Sequence, residues 1–136
     1  VIDGAHQVLR QLHGTVRMGI VTSSRREHFE IIHADTGLLD WIDFTLVRED
    51  YRHSKPDPEP YLEAMRQLDV RPQDCIAFED SQSGMRAAAR SGAFAIGVCS
   101  GVVPDRLHEA GARATITDFT DPALPGLLDR LREPGA

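Results

Sequence analysis

The sequence has 136 residues, 41% of them hydrophobic and 26% charged, which fits one soluble α/β domain with an ordinary core. Its 15 basic and 21 acidic side chains give a net charge of −6, and with no cluster of Lys and Arg to follow a phosphate backbone, nucleic acid is excluded as an expected partner. No apolar run approaches the roughly 20 residues of a bilayer span and no signal-peptide pattern opens the chain, so no membrane partner is expected and the cytoplasm is the expected location.

Ala5, Val8, Leu9 and Leu12 recur at helical spacing, and Gly14 stops that first helix. Met18-Gly19-Ile20-Val21 is an apolar run without polar alternation, as suits a parallel strand covered on both faces, and it ends at Thr22. Ser24 and Glu27 stand at capping-box spacing before a helix that carries Phe29 and Ile32 and stops at Gly37. Residues 41–47 read as a second strand and residues 48–60 as a polar, proline-rich loop. Tyr61, Met65 and Leu68 mark the apolar face of the next helix. The rhythm then repeats, with a strand at 75–78, a turn at 79–84, a helix at 85–90, a stop at Gly92 and a strand at 93–98. A helix over 104–110, a strand over 114–117 and a closing helix with Leu124, Leu127, Leu128 and Leu131 complete the chain. Such alternation specifies an α/β fold with a doubly wound parallel sheet.

Ligands of such sheets sit outside the carboxyl ends of the strands. Thr22, Ser23 and Ser24 follow the first strand at a helix N-terminus, where they serve either as ordinary caps or as a seat for an anion. Glu79 and Asp80 follow the strand ending at Phe78. Two adjacent carboxylates there either cap the next helix or, because they repel, call for a cation; hard oxygen ligands suit Mg²⁺. Lys55 lies between prolines in Ser54-Lys55-Pro56-Asp57-Pro58, which fix the backbone and aim its charge. Cys75 and Cys99 are too few for a disulfide framework and the six His residues form no ligand pattern.

The segments Gly19-Ile20-Val21-Thr22-Ser23-Ser24, Ser54-Lys55-Pro56-Asp57-Pro58 and Phe78-Glu79-Asp80-Ser81-Gln82-Ser83-Gly84 resemble, in order, the second, third and fourth motifs of haloacid dehalogenase-like (HAD-like) hydrolases. The subgroup of phosphoglycolate phosphatases and β-phosphoglucomutases is the most similar, and the resemblance runs from about Asp3 to Thr117. It implies a Rossmann-like core and Mg²⁺-dependent phosphoryl transfer from a small phosphorylated metabolite through an aspartyl-phosphate. It also implies roles: Thr22 and Ser23 bind the phosphoryl group and Lys55 neutralises it. Asp80 holds Mg²⁺ with Glu79 as second ligand or partner through water, Ser81 and Gln82 orient the loop, and Gly84 permits close helix packing. A dehalogenase of the same fold has no use for the implied metal.

The family's first motif, which carries the nucleophilic Asp, is not found. Val1-Ile2-Asp3-Gly4-Ala5 is faintly similar, with Val1 at the nucleophile's place. The preferred alignment matches Asp3-Gly4 to the Pro-Gly pair that opens the helix after an inserted cap domain, which makes Asp3 a helix cap. Residues 1–136 are then expected to be a partial core domain, the segment after the cap insertion, with the nucleophile strand and cap upstream. The sheet would be incomplete, without its central strand between the strands ending at Val21 and Phe78, and the two apolar edges would invite self-association. By itself such a chain is expected to be inactive. The alternative is a non-catalytic phosphate-binding or assembly module of the same fold.

Overall fold

The computed structural model describes residues 2–132. Helices and strands alternate in the order α1 (Ala5–Leu12), β1 (Gly19–Val21), α2 (Arg26–His33), β2 (Phe44–Leu46), α3 (Glu59–Leu68) and β3 (Ile76–Glu79), and then α4 (Gln82–Arg90), β4 (Phe94–Val98), α5 (Pro104–Glu109), β5 (Ala114–Ile116) and α6 (Leu124–Leu128). All strand pairs are parallel. They make two sheets, β1-β2 and β3-β4-β5. Among the described residues β1 and β3 do not pair, so each keeps one open edge and the doubly wound sheet is incomplete, as the family resemblance implies.

The three-stranded sheet is covered on both faces because its residues alternate. Ala77 and Ala95 face a cluster built by Tyr61 and Met65 of α3, Met85, Ala87 and Ala88 of α4, and Leu107 of α5. Ile96, Val98 and Ile116 face the other way, onto Leu124 with Ile2, Val8, Phe78 and Phe119 around them. The small residues of α4 let this helix lie close against β3 and β4, which fixes where its N-terminus meets the end of β3. α3 packs on both β1 and α4, and so bridges the two sheets.

Several local expectations are corrected. Ser24 and Glu27 form no capping box: the chain stays extended through Arg25, and α2 starts at Arg26, whose N–H donates to Glu49 Oε1 at 2.9 Å. That bond, more than any other contact, holds the Glu49 carboxyl below its usual range. Ile32, expected on the same helix face as Phe29, points outward, 56% exposed, because α2 ends at His33 and buries only Phe29. Asp3 caps nothing. Gly4 is the N-cap of α1, at φ 82°, and a Cβ there would lie 2.8 Å from the Phe119 carbonyl carbon, so both the backbone angle and the close approach require glycine. Asp3 instead accepts a backbone bond from Phe119 N at 3.0 Å. The second strand shortens to three residues because residues 38–41 wind into a 3-10 turn, and another such turn follows α6. The faint likeness that puts Val1 at a nucleophile's position lies outside the described residues.

Leu107 is fully buried, so Leu107→Ala is expected to lower stability by about 2–5 kcal/mol in denaturant unfolding. Ile32→Ala, on the exposed side of α2, should stay within about 0.5 kcal/mol of the parent.

Candidate functional site

Three loops converge at the carboxyl ends of β1 and β3. At the end of β1 the ladder runs one residue further, with Thr22 N–H donating to the Leu46 carbonyl at 3.0 Å. Buried Tyr51 donates its hydroxyl to the Thr22 carbonyl at 2.9 Å, which fixes the backbone from the other side. Thr22 Oγ1 accepts from Ser24 N–H at 3.1 Å. The hydroxyl therefore shapes the turn and does not cap α2, and its own proton stays available as a donor. Ser23 is exposed beside it.

At the end of β3 the two carboxylates part. Glu79 is the last strand residue, and its side chain is only 9% exposed; Asp80 is exposed. Neither caps α4. Ser81 does, accepting from Gly84 N–H at 3.0 Å, and Gln82 is the half-buried first residue of the helix. Gly84 is needed because a Cβ would fall 2.1 Å from Glu79 Oε2. What packs against this glycine is thus a carboxylate, a more specific finding than close helix packing.

Lys55 joins these two ends. Its loop is pinned by bonds from Asp57 N to the Ser54 carbonyl at 3.1 Å, from Glu59 N to Asp57 Oδ1 at 2.9 Å, and from Arg90 Nη1 to the Pro56 carbonyl at 3.2 Å. The Lys55 ammonium donates to the Val21 carbonyl at 3.1 Å and to Glu79 Oε1 at 2.5 Å, with its side chain 11% exposed. It is the sole lysine of the chain, the other 14 of the 15 basic residues being arginine. An ammonium carries three N–H donors, so, with two spent among the described residues, one remains for an anion approaching from outside.

In the sequence Tyr61 is legible only as part of an apolar helix face. The structure brings its hydroxyl to the same oxygen, Glu79 Oε1, and the Lys55 ammonium lies 5.2 Å from its ring centroid. Burial, and after it the Glu79 charge, push the Tyr61 hydroxyl's ionisation well above the usual tyrosine range, so it remains a neutral donor. The signal that was available is chemical: a tyrosine on a buried face needs a partner for its O–H.

These residues can hold an oxyanion and, beside it, a hard cation. Mg²⁺ takes one or two carboxylates and keeps water in its other positions. Exposed Asp80 fits a direct ligand. Glu79, committed to Lys55 and Tyr61, fits a supporting role, and the described residues contain no cluster of three or more His, Cys, Asp or Glu side chains suited to a metal. A separate groove between α1 and α6, lined by Val8, Leu12, Phe119, Leu124 and Leu128, contains none of these groups.

The sequence pattern of haloacid dehalogenase-like hydrolases matches residues 1–98. Validoxylamine A 7'-phosphate phosphatase of Streptomyces hygroscopicus subsp. limoneus is 35% identical over 125 residues, covering 91% of this chain and 58% of the relative. The β-phosphoglucomutase of Bacillus subtilis is 32% identical over 102 residues, covering 74% of this chain and 44% of the relative. The chain spans about half the length of the curated relatives it matches. Among solved structures, a HAD hydrolase of family IA, variant 3, from Entamoeba histolytica superposes with a TM-score of 0.84 at 27% identity, over 97% of this chain and 61% of that one.

Because both members of the Lys55–Glu79 pair are nearly buried, removing one strands the other charge. Lys55→Met is expected to cost about 3–5 kcal/mol in unfolding experiments, whereas Lys55→Met with Glu79→Gln recovers most of that loss. A cost for the double variant equal to the sum of the costs of Lys55→Met and Glu79→Gln measured singly would show that the pair is not coupled.

Proposed function

The chain belongs to the haloacid dehalogenase-like hydrolase family, and on that premise we propose that the whole protein is a Mg²⁺-dependent phosphohydrolase acting on a small phosphorylated metabolite through an aspartyl-phosphate. The observation that carries this reading is the Lys55 ammonium, aimed between the ends of β1 and β3 with one donor unspent. Relatives named as phosphatases of validoxylamine A 7'-phosphate and of fructose 1-phosphate support a phosphorylated carbohydrate or a similar polyol as the metabolite class.

On this reading Thr22 and Ser23 seat the phosphoryl oxygens through the Thr22 hydroxyl and the backbone N–H of Ser23. Lys55 offsets their charge, and because its side chain is nearly buried this fixed cation acts more strongly than it would in water. Mg²⁺, held by Asp80 with Glu79 in support, would supply charge neutralisation to the transferring group. The attacking carboxylate is assigned to a strand seated between β1 and β3, whose carboxyl ends Lys55 contacts at the Val21 carbonyl and at Glu79. None of Thr22, Lys55, Glu79 and Asp80 serves as that nucleophile, because each is engaged in placing the phosphoryl group or its counter-charge.

The chain of 136 residues is accordingly expected to show no turnover of an aryl phosphate with Mg²⁺, while the whole protein turns over phosphorylated carbohydrates and loses that activity in Asp80→Asn. Turnover by these residues alone that disappears in Asp80→Asn would assign the attack to another group; phosphate binding by the whole protein without turnover would favour the binding module. The metal assignment is checked by calorimetric titration of the folded chain with Mg²⁺. Weak binding that vanishes in Asp80→Asn is expected, and superimposable titrations would remove Asp80 as a ligand.

A further inference from the structure

Glu79 Oε1 accepts from two side chains at once, the Lys55 ammonium at 2.5 Å and the Tyr61 hydroxyl. Tyr61 lies on α3 with 9% of its surface exposed, packed among Met65, Met85 and Ala77. A phenylalanine would fill that position without desolvating a hydroxyl, so packing alone does not account for the oxygen. Its one hydrogen-bond partner among the described residues is Glu79. The opposite oxygen, Glu79 Oε2, faces the space left by Gly84.

We propose that Tyr61 is a positioning residue of the anion seat: its hydroxyl holds the Glu79 carboxylate against α4 and takes up part of the charge on Oε1, so that the third N–H of Lys55 is kept for a phosphoryl oxygen. The inference rests on the phosphate-binding role given to Lys55 above and adds the device that keeps Lys55 from being consumed by its own partner. An unrestrained carboxylate this close to an ammonium can turn to present both oxygens, which spends two donors on one partner. With the Tyr61 bond in place, Oε1 is shared and Oε2 stays turned toward Gly84. Three elements thereby cooperate on one group: α3 supplies the hydroxyl, the loop before it supplies the cation, and the end of β3 supplies the carboxylate.

The test is titration of the folded chain with inorganic phosphate, without Mg²⁺, followed by NMR at the Thr22 and Ser23 amides. Tyr61→Phe keeps the ring beneath Lys55 and the packing of α3, and is expected to weaken phosphate binding by about three- to tenfold, the range of one net hydrogen bond. In a Glu79→Gln background the same change should have an effect of less than about twofold, because the charge through which Tyr61 acts is gone. An unchanged affinity in Tyr61→Phe, or an equal loss in both backgrounds, overturns the inference, since repacking of α3 would not depend on the charge of Glu79. The Lys55→Met, Glu79→Gln double variant separates the two readings. If the parent chain binds phosphate no better than this variant does, the role of Lys55 fails and Tyr61's role with it. Binding that depends on Lys55 but not on Tyr61 overturns only the latter.

Discussion

The contact on which this structure turns is the one between the Lys55 ammonium and Glu79 Oε1 at 2.5 Å. Lys55 also holds the Val21 carbonyl, so a single cation ties the end of β1 to the end of β3, two strands that belong to different sheets. Burying two charges is costly unless each is paired and hydrogen-bonded. The surroundings meet that condition: the Tyr61 hydroxyl adds a donor to the carboxylate, the Tyr61 ring lies near the ammonium, and Gly84 leaves room for the second carboxylate oxygen.

The same constraint sorts the two neighbouring carboxylates into different environments. Successive residues at a strand end project to opposite sides, so Glu79 turns inward while Asp80 faces solvent. An inward acid that is fully engaged and an outward acid that is accessible are suited to unlike tasks, support of a cationic side chain and ligation of a hydrated cation. The cap of α4 belongs to neither. Ser81 takes it, which leaves both carboxylates uncommitted to the helix and fixes the turn between β3 and α4.

Packing away from the site sets where these groups stand. α4 carries Gly84, Met85, Ala87 and Ala88 on its buried face, and the small size of Gly84, Ala87 and Ala88 lets it lie close to β3 and β4. α3 rests on α4 and on β1, so it brings Tyr61 to the junction of the two sheets and also positions the loop that precedes it. Arg90, near the end of α4, fastens that loop at the Pro56 carbonyl. On the proposed reading such a scaffold favours phosphoryl transfer, because a fixed charge needs no reorganisation when a phosphoryl group arrives.

The incomplete sheet followed from the family resemblance; by itself the sequence determined the alternation of parallel strands and helices and the three segments that supply Thr22, Lys55 and the acidic pair. Those are written locally: apolar runs of period appropriate to buried strands, glycine stops, and prolines around Lys55 fix elements and turns through residues a few positions apart. Local signals also misled, since Ser24 and Glu27 have capping-box spacing yet α2 takes its cap from Glu49, 23 residues away. Only the tertiary structure decided that Glu79 faces Lys55 while Asp80 faces water, that Gly84 seats a carboxylate, and that Tyr61 is a partner of the charged pair. These depend on contacts between residues 18, 24 and 34 positions apart. A period of apolar residues reports which face of a helix is buried, and it cannot report what a hydroxyl on that face will meet until α3, β1 and β3 are packed together.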